Sequence, residues 1–154
     1  MNQKHIEREK ERDRETQREQ SNREELVERI ARAIPEDGMV EPMKGLRLTS
    51  SSRTGEPVYG VSEPTFCIIA QGSKEIFLGG HRYQYDPYSY LLATAELPIM
   101  SRILAASEEK PYLGLLIMID PAVVGSVMVE MGQLPPRSQV PARAIEVSPL
   151  DATL

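Results

Sequence analysis

A mainly β fold, a small barrel or sandwich led in by one helix, is what this sequence predicts. Three observations carry the prediction. Short apolar runs of strand length follow one another from about residue 40 onward, and glycine or Asp-Pro turn signals break them at intervals of about eight to twelve residues. The longest apolar run, Leu113–Ile119, is sized for a strand and far too short to cross a bilayer. A chain of 154 residues is long enough for one domain with a single core.

The elements follow in order. Residues 1–22 form a charged, solvated segment: from Lys4 to Arg23 basic and acidic side chains alternate and only Ile6 is apolar. Such a stretch can pair charges four apart along a helix but has no face to bury, so it reads as a frayed charged helix or a disordered tail. Residues 23–36 read as a short amphipathic helix. Asn22 with Glu25 resembles a capping arrangement, Leu26, Ile30, Ala33 and Ile34 recur at helical spacing, and Pro35 and Gly38 close the segment. Residues 40–154 are the β domain. Its expected strands are Gly45–Ser50, Val58–Val61, Thr65–Gln71, Lys74–Leu78, His81–Tyr85, Tyr88–Thr94, Ile99–Ala105 and Tyr112–Ile119, with Ala144–Val147 last. Gly72, Gly79-Gly80 and Asp86-Pro87 supply corners and turns between them. Asp120-Pro121 opens a valine-rich run that reads as an Asp-capped helix with proline at its first position. Ser148-Pro149-Leu150-Asp151 reads as the cap of a further helix, which the sequence does not continue.

Composition removes several function classes. The formal net charge is −5, and the 18 basic residues are interleaved with acids rather than gathered into a patch. Direct nucleic-acid binding by this chain is therefore not expected. The single cysteine, Cys67, lies inside an apolar run, so neither a disulfide framework nor a cysteine zinc site forms within one chain. A buried structural thiol is the favoured reading of it. With no apolar signal core and no membrane span, the expected location is the cytoplasm.

One ordered set of residues goes further. Glu63-Pro64, Cys67 with Gln71-Gly72 and Lys74, and Leu78-Gly79 are followed by Tyr83, Tyr85-Asp86-Pro87 and Tyr90-Leu91. Leu97-Pro98 and Pro111-Tyr112-Leu113 complete the set. From about Glu24 to the end, this sequence resembles the effector-sensing N-terminal domain of AraC-type transcriptional regulators. The resemblance implies a cupin-like, double-sheet β barrel with one or two short helical segments at its C-terminal end. It also implies a helix-turn-helix domain beyond Leu154, so that DNA would be reached only through a part missing here, and dimerisation helices beginning near the end of the chain.

Metal-dependent cupins hold their ion with several histidines and a carboxylate. This chain has two histidines, His5 in the charged segment and His81 in a turn, so no metal site, no cofactor and no catalytic residue are assigned. In a barrel with an internal cavity, Tyr83, Tyr85 and Tyr90, with Gln71 and Arg82, are the candidate ligand-binding residues, since a tyrosine offers both a ring and a hydroxyl. Plain core packing is the competing role for each tyrosine. The leading functional expectation is a sensor of an unknown small-molecule effector, acting by ligand-linked change of conformation or assembly, with a homodimer as the natural assembly. A structural or dimerising module without a ligand, and a barrel enzyme that uses no metal, are the alternatives.

Overall fold

The computed structural model describes residues 2–132 and 144–150. Two antiparallel sheets face each other and one helix covers the back of the larger. Helix α1 (Gln3–Ala33) leads into β1 (Gly38–Met43), β2 (Leu46–Ser51), β3 (Val58–Val61), β4 (Thr65–Gln71) and β5 (Ser73–Leu78). Then come β6 (His81–Tyr85), β7 (Ser89–Ala93), β8 (Pro98–Ala105), β9 (Tyr112–Met118), helix α2 (Pro121–Glu130) and β10 (Ile145–Pro149). The six-stranded sheet has the order β1-β2-β9-β4-β7-β10, and the four-stranded sheet the order β3-β8-β5-β6. The mainly β, double-sheet expectation is what the chain forms.

Period-2 alternation explains the layers. On the inward face of the large sheet stand Cys67, Ile69, Leu91, Ala93 and Ile145, which pack with Ile76 and Tyr85 from the small sheet. The opposite face presents Leu48, Ala70 and Leu113, which pack with Ile30 and Ile34 of α1. The central strands are therefore apolar on both faces, and the run Thr65-Phe66-Cys67-Ile68-Ile69-Ala70 reflects this. At the sheet edge, β1 is exposed along its whole length and carries Pro42, which an edge strand tolerates.

The corner at Gly72 sends the chain from the large sheet into the small one. β4 and β5 are neighbours in sequence but belong to different sheets, and one residue separates them. Gly72 has φ +93°, and a Cβ built there would lie 2.5 Å from the Ala105 carbonyl oxygen. Only glycine fits a corner that is both left-handed and that tight.

Helix α1 differs from the expectation of a charged segment followed by a short helix at 23–36. It is one continuous 31-residue helix from Gln3, about 46 Å long, and no new helix starts at Asn22. Strong helix formers fill residues 3–21 with no glycine or proline among them, and pairs four apart support the rod, as in Glu25–Arg29 at 2.7 Å and His5–Glu9 at 3.5 Å. Its last turns dock through Leu26, Val27, Ile30 and Ile34, and Arg23 lies 4.4 Å from the ring centre of Tyr88. At α2 the Asp120 carboxylate accepts the Ala122 amide hydrogen and Pro121 opens the helix, as the sequence indicates. The prolines at 135–136 and the cap reading at Asp151 fall outside the described residues.

Candidate functional site

Between the sheets lies a cavity of about 190 Å³. Its deep walls are apolar, formed by Ile76, Leu91, Ala93, Leu116 and Ile145. Into these walls β5 sets Lys74, β4 sets Cys67 and Thr65, β6 sets Tyr85 and β9 sets Tyr112. The more exposed lining residues, Arg47, Val61 and Glu63, mark the mouth, where Arg47 pairs with Glu63 at 3.8 Å.

Register places these groups. Lys74 stands opposite Tyr85 across β5 and β6, and opposite Ile103 across β5 and β8, so all three share the inward face. Tyr112 comes from the far end of β9, and its ring folds back over Gly114. A Cβ at Gly114 would sit 2.7 Å from the Tyr112 hydroxyl oxygen, so that glycine makes the room the ring occupies.

The electrostatics follow from burial. Tyr85 and Tyr112 are 3% and 4% exposed, their hydroxyls are in hydrogen-bond contact, and burial pushes both phenols above the ordinary tyrosine value. Both stay protonated at any physiological pH. Burial also raises the Cys67 thiol, which lies 3.6 Å from the Thr65 hydroxyl, so it is a poor nucleophile and matches the structural reading of this residue. Lys74 is surrounded by protein but keeps some accessible surface, because it borders both the cavity and a shallow groove near Glu56 and Arg102. Desolvation pulls its ammonium below the ordinary lysine value.

Of the five residues singled out from sequence, only Tyr85 lines the cavity. Tyr83 shares its face but packs against the core beside Leu78 and Ile99. Tyr90 lies on the other face of β7, where Leu91 and Ala93 take the inward positions, and its ring is 5.1 Å from that of Phe66. Gln71 donates from Nε2 to the Pro111 carbonyl at 2.9 Å. Arg82 is on the outer face of the small sheet, where its Nε meets Glu75 at 2.6 Å while Arg102 reaches the same carboxylate at 2.5 Å. Glu75 is 1% exposed because the two guanidiniums cover it, not because it is sunk in the core. The Arg82 hydrogen bond, aided by Arg102, holds its carboxyl below the usual carboxylate range.

Lys74, Tyr112 and Arg47, with Thr49, Ser62, Glu63 and Thr65, are polar cavity residues that the sequence did not single out as a site. The signal for Lys74 was alternation: it leads the series Lys74, Ile76, Leu78, in which the latter two are apolar and inward. Among the described residues no group of three or more His, Cys, Asp or Glu side chains comes together as a metal site. His5 pairs with Glu9 on α1, and His81 is exposed at the start of β6.

Residues 42–154 match the family described as the AraC-type transcriptional regulator N-terminus. The chain belongs to that family. The match covers the whole two-sheet barrel except the start of β1, and leaves α1 outside it. As an AraC-type N-terminal domain, it has its cavity walls entirely within the matched region. No curated protein matches the chain significantly. Among solved structures it is similar to KdgF from Halomonas sp., with 13% identity over 58% of this chain and 94% of that one. The TM-score is 0.26.

Proposed function

We propose that this domain is the effector-sensing half of an AraC-type regulator and that the cavity between its sheets is the sensing site. The observation that carries the reading is the cavity itself: an apolar chamber with a few convergent polar groups, inside a domain of a regulatory family. The mechanism is linkage. A small molecule that binds one conformation or assembly more tightly shifts the population toward it, and a DNA-binding half elsewhere responds. The volume sets the scale of the effector, since a cavity of roughly 150 Å³ accepts a benzene ring and drug-sized ligands need roughly 300 Å³ or more. A cytoplasmic homodimer is the setting in which this reading places the domain.

Thermal-shift screening with single-ring and short-chain metabolites tests the proposal. A ligand present at 100 times its Kd stabilises the fold by about 2.7 kcal/mol. Leu116→Phe, which fills the chamber from β9, should abolish the shift while the protein remains folded. A solid barrel with no stabilising ligand would favour the structural-module reading. A barrel enzyme would instead convert one of the bound compounds.

A further inference from the structure

Resting on the sensor reading, we infer that the cavity takes a small monocarboxylate, with Lys74 binding its carboxylate and the hydroxyls of Tyr85 and Tyr112 beside it. The Lys74 side chain makes no ion pair and no hydrogen bond with any described residue. The acid next to it in sequence, Glu75, points to the opposite face of the sheet and is taken by Arg82 and Arg102. Glu63, the carboxylate among the cavity-lining residues, is at the mouth and is paired with Arg47. Glu56 borders only the outer groove, is exposed, and forms no pair with Lys74. A basic side chain therefore faces an apolar chamber without a counter-ion among the described residues.

Across the sheet it stands opposite Tyr85 of β6 and Ile103 of β8, Cys67 of β4 is close enough to interact with it electrostatically, Arg102 of β8 borders its outer groove, and Tyr112 of β9 shares the cavity lining. None supplies a negative charge, since the thiol and both phenols stay protonated. The thiol is turned to the Thr65 hydroxyl and the two phenols meet each other, so the Tyr85–Tyr112 pair is left with one hydroxyl hydrogen to offer a ligand. The chamber thus sets one ammonium and the hydroxyls of Tyr85 and Tyr112 among apolar walls that include Ile76, Leu91, Leu116 and Ile145. That combination fits a molecule with one oxygen-rich anionic group and one compact hydrocarbon body. An anion bound there also relieves the desolvated ammonium: with a partner Lys74 is favoured in its charged form, so ligand binding and protonation of Lys74 are coupled.

Calorimetric titration of the full chain with benzoate, hexanoate and octanoate, each beside its neutral primary amide, tests the inference. At least one acid should bind ten or more times more tightly than its amide. Lys74→Met should weaken that acid tenfold or more and leave the amide within about threefold. At a pH above the native pKa of Lys74, binding should also take up a proton, read as a dependence of the measured enthalpy on the buffer's ionisation heat. That uptake should vanish in the variant. If amides bind as tightly as acids and Lys74→Met changes neither, the assignment of Lys74 is overturned while the sensor reading stands. If neither class binds, the monocarboxylate assignment falls. A neutral-fragment screen of the same cavity then decides the sensor reading separately.

Discussion

At Gly72 the backbone has φ +93°, and the space a side chain would need is occupied by the Ala105 carbonyl. Gly72→Ala should destabilise the fold by at least about 2 kcal/mol, from left-handed strain plus the clash, measured by urea denaturation. Lys74 gives a pH test. Its folded-state pKa lies below the unfolded value, so the unfolded chain binds more protons between the two and the native state gains stability as pH rises through that window. Lys74→Met should therefore stabilise the protein at neutral pH, and the advantage should shrink as pH approaches the ordinary lysine value. Glu75 runs the other way. Its lowered pKa contributes stability that is present above the ordinary glutamate value and lost as pH falls through the folded one. Glu75→Gln should be less stable than wild type at pH 7 and indistinguishable from it in acid. The Gln71-Gly72 corner was legible in the sequence. The Glu75–Arg82–Arg102 cluster was not, because it joins three strands whose pairing no single run of residues reveals.

The helices separate what propensity determines from what packing determines. Asp120 and Pro121 fix the start of α2, yet α2 buries none of its side chains. Asp120→Ala should cost about 1 kcal/mol locally, so amide exchange across 121–130 should quicken roughly fivefold while the global melting temperature holds. In α1 the opposite applies. Ile30 is buried against Leu48, Ala70 and Leu113, and Ile30→Ala should destabilise the whole fold by about 2–4 kcal/mol. The apolar stripe from Leu26 to Ile34 was readable as a docking helix. Its extension back to Gln3 was not, because a charged segment without an apolar face carries no packing signal, and charge pairs and propensity alone shape it. Most strands were legible through alternation and turn chemistry, but β1 was missed: Pro42 and Glu41 blur its pattern at an edge where nothing is buried.

The whole molecule is a helix laid on a six-stranded sheet that faces a four-stranded one, with a small chamber between the sheets. The fold class and the family follow from residues spread along the chain. Tyr85 was found from sequence and Lys74 was within reach of the alternation of β5, while Tyr112 needed the assembled sheets, because the chamber's lining depends on which strands face each other. Amide and side-chain methyl NMR spectra of the chain during a fragment screen decide whether the chamber has the sensing role proposed for it. Binding fragments should shift resonances of Ile76, Leu91, Leu116 and Ile145 together, and Leu116→Phe should erase those shifts. Fragments that bind only elsewhere on the surface, or shifts that persist in Leu116→Phe, would contradict that role.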